Sequence, residues 1–288
     1  MIGKACYSEI NKLLEKRLDQ KKALIAVHRG TWGGNIIENT VPAYQTALSM
    51  GADLFECDIA MSTDGVLYTF HDGEESRLLG RKENIRTLSS EVIDKEIYKN
   101  SIGECSGTAV GRLEEVFTSF THDELFNLDR GWNFLPQIDA LMCQYPKTVR
   151  QAIIKTPVKD SYLEFFQNCP TKYMYMPIAY SMEEVRKVLS WPDINLVGVE
   201  LIAHTKEEEL FQIETIRQIK EQNLYIWVNA ITLSNEKKHI LFGGLNDDQA
   251  ILDDPASSWG KMFEMGVTII QTDWPMQLQA YRERYFNL

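Results

Sequence analysis

Cysteine is sparse and unpatterned. Cys6, Cys57, Cys105, Cys143 and Cys169 are odd in number, and none lies in a Cys-x-x-Cys pair, which excludes a disulfide framework and argues against zinc. They are expected to pack as small apolar residues. Long apolar runs are missing too: no stretch approaches the ~18 residues of a membrane span. Residues 1–22 are crossed by Lys4, Glu9, Lys12, Glu15, Lys16 and Arg17, so no signal peptide is read and a cytoplasmic location is expected. Basic charge is in deficit. The chain carries 30 Lys and Arg against 41 Asp and Glu, a net charge of −11, which argues against a nucleic-acid partner. A phosphorylated small molecule would also be repelled at long range, so a site for one needs a bound cation and local basic groups. Linkers, low-complexity segments and internal repeats are absent as well.

What is present is a regular alternation. At 288 residues with 44% hydrophobic content, the chain fits a single α/β barrel, which commonly runs to ~250 residues. Residues 8–20 carry Ile10, Leu13, Leu14 and Leu18 at helical spacing, so residues 1–22 are expected to form a helix across the barrel bottom. Strand-like apolar segments follow at 23–28, 53–59, 66–71, 124–129, 150–155, 172–177, 195–201, 223–229 and 267–272. These are one too many for an eight-stranded barrel. Only 60–65 separate the second from the third, too few for a parallel crossover. Thr63-Asp64-Gly65 supplies turn chemistry there, so 66–71 should return as a hairpin. Helices are expected near 41–50, 112–121, 132–144, 159–167, 181–190, 206–222, 253–265 and 275–284. The fold class is therefore a (β/α)8 barrel over 23–288, with a hairpin and a small insertion at about 73–111 after the second strand. That insertion is read as too polar for a core element.

Active sites of this architecture lie at the C-terminal ends of the strands. In order, those ends offer His28, Glu56 with Asp58, Asp129, Lys155, Glu200, Asn229 and Asp273; only the strand ending near Met176-Pro177 offers nothing polar. Glu56 and Asp58 share a strand face, and oxygen-rich carboxylate sites suit Mg²⁺ or Ca²⁺. His28 and His71 are the candidate proton donors and acceptors. Arg29 is a candidate bidentate donor to an anionic oxygen. Asn39 or Thr40 is expected to cap the helix that begins near Val41-Pro42.

The ordered set His28-Arg29-Gly30, Glu38-Asn39-Thr40, Gly51-Ala52-Asp53 leading into Glu56-Cys57-Asp58, Thr63-Asp64-Gly65 and His71-Asp72 resembles the glycerophosphodiester phosphodiesterase family. Trp227-Val228-Asn229 and the segment Gly266–Pro275 extend the resemblance over about residues 23–284. It implies hydrolysis of a small-molecule glycerophosphodiester to sn-glycerol 3-phosphate and an alcohol. A divalent cation, Mg²⁺ or Ca²⁺, would be held by Glu56, Asp58 and Asp129, and His28 and His71 would act as acid and base through a cyclic phosphate. Arg29, Lys155, Glu38, Trp227 and Asn229 would contact substrate, with Trp132, Trp274 and Tyr180 walling the mouth. The sequence departs from the family at Asn127-Leu128-Asp129-Arg130, where Glu-x-Lys is usual, so that Lys155 is read as supplying the absent ammonium. It departs again at Gly33–Ile37, which lengthens the loop before Glu38. Two other readings stay open: a metal-dependent sugar isomerase on the same fold, and a non-catalytic phosphodiester-binding protein.

Overall fold

The computed structural model describes residues 1–234 and 236–288. Eleven strands occur among them: β1 (Leu24–Val27), β2 (Leu54–Met61), β3 (Leu67–Thr69), β4 (Ile97–Lys99), β5 (Cys105–Ala109), β6 (Leu125–Asp129), β7 (Ala152–Pro157), β8 (Met174–Ala179), β9 (Gly198–Leu201), β10 (Tyr225–Asn229) and β11 (Ile269–Thr272). Eight of them, β1, β2 and β6 to β11, pair in parallel, and the β1–β2 and β1–β11 pairings close the barrel. β3 runs antiparallel to β2 through Ile59–Thr69, Ala60–Tyr68 and Met61–Leu67. The hairpin return expected from the short 60–65 connection is thus found.

Alternation along each barrel strand divides the core in two. On β2, Phe55, Cys57 and Ile59 pack outward with the helix layer. Leu54 points inward and joins Leu24, Leu125, Ile153, Met174, Tyr225 and Ile269 in a plug near the strand starts. Along the same inward rows the chemistry changes with height: Leu54 gives way to Glu56 and Asp58, Leu125 to Asn127 and Asp129, and Ile153 to Lys155. The apolar end stabilises the barrel and the polar end forms its mouth. β9 begins with Gly198 because a Cβ there would lie 2.2 Å from the Tyr225 ring. The helix Ser8–Lys21 buries Leu14 against the inner plug, with Ile10, Leu13 and Leu18 partly covered.

The insertion is more structured than its polarity implied. It holds the short helices Glu75–Leu78 and Ser90–Ile93 and the β4–β5 hairpin. Leu78, Leu79, Ile85, Ile93, Tyr98 and Val110 form a small core of their own against Tyr68 and Phe70. The apolar residues are spaced too irregularly for any one periodic template, which is why the sequence hid them. The expected helix at 206–222 is shorter, Ile213–Lys220, after a 3-10 turn at Glu209–Phe211, and a helix at Asp247–Leu252 was not foreseen.

The ends of the barrel are clamped by one buried pair. Arg282, 1% exposed on the last helix, donates to the Ala23 carbonyl at 2.8 Å and pairs with Asp53, whose carboxylate also accepts from the Ile25 N–H at 2.8 Å. Removing the guanidinium strands a buried carboxylate, a loss worth about 3–5 kcal/mol. Arg282→Met should therefore lower the urea midpoint by that equivalent at an unchanged m-value. A midpoint equal to that of wild type within experimental error would show that the pair is dispensable.

Candidate active site

Three carboxylates meet where β2 and β6 end. Asp129 lies in register with Asp58 across the parallel pair, and one oxygen from each of Glu56, Asp58 and Asp129 falls within 4.8 Å of the others. Burial, reinforced by the charges of Asp58 and Asp129, pushes the Glu56 carboxyl well above its usual range against the pull of Lys155 and Arg29. An all-oxygen donor set of this charge fits a hard divalent ion such as Mg²⁺ or Ca²⁺.

Each carboxylate is held by a residue in the left-handed backbone region, where non-glycine residues are uncommon. Arg29 (φ 56) donates its N–H to Glu56 Oε2 at 3.0 Å. Asn39 (φ 56) donates from Nδ2 to Asp58 Oδ2 at 2.9 Å. Arg130 (φ 57) donates its N–H to Asp129 Oδ1 at 2.7 Å. Of the two expected caps, Thr40 takes the N-cap position of the helix Val41–Ser49 without a side-chain cap bond, and Asn39 does not cap it. Asn39 Oδ1 accepts from the Asp58 N–H and Tyr44 Oη, while Thr40 Oγ1 donates back to the Ile37 carbonyl and makes no cap bond. The amide is worth more holding a charged group in the barrel than satisfying a partly hydrated helix end.

Side-chain cations ring the cluster. Lys155 Nζ lies 2.8 Å from Asp129 and 3.0 Å from Glu200, so the ammonium absent from the β6 segment does arrive at Asp129 from β7. Burial alone would raise the Asp129 carboxyl, but Lys155 outweighs it and holds it below the usual range. Glu200 in turn accepts from Asn229 Nδ2 at 2.7 Å, and Asn229 Oδ1 accepts from Trp227 Nε1 at 3.0 Å. Trp227 is fully buried, so it braces Lys155 and Asn229 from inside the barrel. The Arg29 guanidinium lies 2.9 Å from Glu38 and 3.0 Å from Asp58. Glu38 also pairs with Arg77 at 2.8 Å, which directs it to guanidinium groups and leaves it outside the carboxylate cluster. Trp274 and Tyr180 are exposed and Trp132 partly so.

The two histidines flank the cluster. His28 Nδ1 donates to Asp273 Oδ1 at 3.3 Å, a contact that selects the ring tautomer and leaves Nε2 for another partner. His71 follows β3, brought beside Asp58 where the Phe70 N–H donates to the Asp58 carbonyl at 2.9 Å. Burial, with the Arg29 and Arg130 charges, holds its imidazole below the ordinary value against Asp58. Its neighbour Asp72 accepts two bonds from Arg130, at 3.0 and 2.7 Å, and one from Arg86 at 3.3 Å.

The chain is similar to known proteins in sequence and in fold. Human lysophospholipase D GDPD1 is 24% identical over 280 residues, covering 90% of this chain and 85% of the relative. A glycerophosphodiester phosphodiesterase of Caldanaerobacter subterraneus subsp. tengcongensis is 33% identical over 97 residues, 33% of this chain and 40% of that protein. The resemblance to glycerophosphodiester phosphodiesterases read from the sequence is thus shared by curated relatives. A family model described only as a domain of unknown function matches residues 175–282. Among solved structures, a glycerophosphoryl diester phosphodiesterase from Parabacteroides distasonis shares the fold with a TM-score of 0.68 at 18% identity, covering 92% of this chain and 87% of that one. An Oleispira antarctica phosphodiesterase, solved with the product sn-glycerol-3-phosphate, gives 0.64 at 14% identity over 92% and 97%.

Sequence reading passed over Arg130, which anchors Asp72, and Asp247, which has no family-type motif around it. The one available signal for Arg130 was a cation directly after a strand-end carboxylate. Asp247 is buried and accepts from Trp259 Nε1 at 2.9 Å, Thr272 Oγ1 at 2.8 Å and the Asp273 N–H at 3.0 Å, so it positions the residue that orients His28. Burial pushes its carboxyl up to about 6, aided by the Asp273 charge and opposed by the three donors. With an unfolded value near ~4, its contribution to stability is complete below about pH 4 and is lost as pH rises through 6. Asp247→Asn should remove from the pH profile a decline of about 3 kcal/mol that wild type shows across that window. Parallel urea-unfolding profiles for the two proteins would contradict this.

Proposed function

We propose that the protein is a divalent-cation-dependent phosphodiesterase that hydrolyses a glycerophosphodiester to sn-glycerol 3-phosphate and an alcohol. The observation that carries this reading is the carboxylate triad Glu56, Asp58 and Asp129 flanked by His28 and His71 at one barrel mouth. The relatives support it by name: a glycerophosphodiester phosphodiesterase and a lysophospholipase D. The neighbour solved with sn-glycerol-3-phosphate supports the product.

Glu56, Asp58 and Asp129 would hold the cation, which when bound offsets charge on the phosphoryl oxygens and makes a nearby hydroxyl more acidic. Arg29 and Lys155 fix the carboxylates and add positive potential where negative charge grows. One histidine removes the proton from the glycerol 2-hydroxyl, whose oxygen attacks phosphorus and closes a cyclic phosphate. The other protonates the departing alcohol oxygen. Water then opens the ring with the two roles exchanged, so one proton is taken and one returned in each half. Asp273 keeps the His28 ring oriented through both halves, and the Arg130–Asp72 pair steadies the loop that carries His71.

The test is release of sn-glycerol 3-phosphate from a panel of glycerophosphodiesters and lysophospholipids with Mg²⁺ or Ca²⁺. Excess chelator should abolish turnover, and Glu56→Gln or Asp58→Asn should cost at least ~10²-fold in kcat/KM. His28→Ala and His71→Ala should each cost ~10²–10⁴-fold with the fold intact. Undiminished turnover in chelator, or by a folded histidine variant, overturns the assignment of that group. For the cyclic route, a 2-deoxyglycerol substrate should bind and scarcely react, because an adjacent hydroxyl provides an effective molarity reaching ~10⁵ M. Parent-like turnover of that analogue would point to direct attack by water.

A further inference from the structure

A cavity of about 240 Å³ lies between the loop that follows His28 and the tip of the β4–β5 hairpin. Two segments distant in sequence build it: Asn100 Nδ2 donates to Asn35 Oδ1 at 2.8 Å, and the Ser101 N–H to the Gly34 carbonyl at 3.3 Å. Trp32, Ile36 and Leu78 give it apolar walls, and Glu38, Arg77 and Lys99 are its charged lining. The cavity adjoins the reaction site. Glu38 in its wall lies 2.9 Å from the Arg29 guanidinium, which is itself 3.0 Å from Asp58.

The charges around this cavity do not all cancel. Glu38 and Glu74 are matched by Arg29 and Arg77 through contacts of 2.9, 2.8, 3.8 and 2.8 Å. Lys99, by contrast, forms no ion pair among the described residues, and its ammonium is admitted over Gly80, where a Cβ would stand 2.4 Å from Nζ. Lys99 therefore sets a positive charge in the cavity lining that an anionic ligand group can meet. The volume falls below the ~300–1,000 Å³ of sites for drug-sized ligands, so it suits a short alcohol rather than a long acyl chain.

Resting on the phosphodiesterase reading above, we infer that this cavity receives the leaving alcohol and that Lys99 selects alcohols bearing an anionic group, a carboxylate or a phosphate monoester. The test compares glycerophosphodiesters of glycerol, glycerate and glycerol phosphate, which differ at one carbon, with that of choline. Wild type should favour the glycerate or glycerol phosphate diester over the glycerol diester by ~10-fold or more in kcat/KM, the scale of a charge-assisted contact. The preference between those two arms distinguishes carboxylate from phosphate. Lys99→Gln should erase the preference, and Lys99→Glu should turn it toward choline. Equal use of all four by wild type, or an unchanged ratio in Lys99→Gln, overturns the inference while turnover itself upholds the phosphodiesterase reading. Should no diester be turned over, that reading falls, and calorimetric binding of the glycerate and glycerol diesters decides the inference separately. Equal affinities for the two overturn it, and a preference for glycerate that is lost in Lys99→Gln sustains it.

Discussion

Three carboxylates within 4.8 Å of one another inside a barrel repel strongly, because the low-dielectric surroundings screen them poorly. The local structure follows from that constraint. Lys155 and Arg29 supply opposite charge from β7 and from the loop after β1. Arg29, Asn39 and Arg130 each take up left-handed backbone and each present an N–H to a different carboxylate. Such conformations cost of order 1–3 kcal/mol apiece and persist because charge-assisted hydrogen bonds to buried groups offset them. Strain of this kind concentrated on three neighbouring acids indicates geometry held for a ligand rather than for stability alone.

The barrel itself was largely legible because its signals are local and periodic. Strands buried on both faces read as apolar runs, and the short 60–65 connection alone identifies β3 as a return strand. Carboxylates two apart on a strand announce a shared face, as Glu56 and Asp58 do. The resemblance to phosphodiesterases gave the histidines their meaning, since either alone would have been unremarkable.

What stayed hidden depends on contacts between distant segments. Asn39 looked like a helix cap because capping is a short-range pattern, whereas its bond to Asp58 requires knowing that two loops converge. Asp247 and Asp273 lie 26 residues apart and meet only through the closed barrel. The insertion core around Tyr98 and Ile93 assembles from scattered apolar residues with no single period. Lys155 shows the intermediate case: its strand position and its place beside Asp129 were readable, but its second pairing, with Glu200, was not.

The central claim is that the carboxylate triad is a divalent-cation site, and a stability measurement addresses it independently of any substrate. Thermal unfolding in Mg²⁺ or Ca²⁺ at about one hundred times the dissociation constant should show stabilisation of about 2.7 kcal/mol over the chelated protein, expected for a ligand that binds only the native state. The rise in Tm should vanish in Asp58→Asn, which keeps the side-chain shape but lacks the charge. A Tm indifferent to both ions, or an equal rise in Asp58→Asn, would contradict the account.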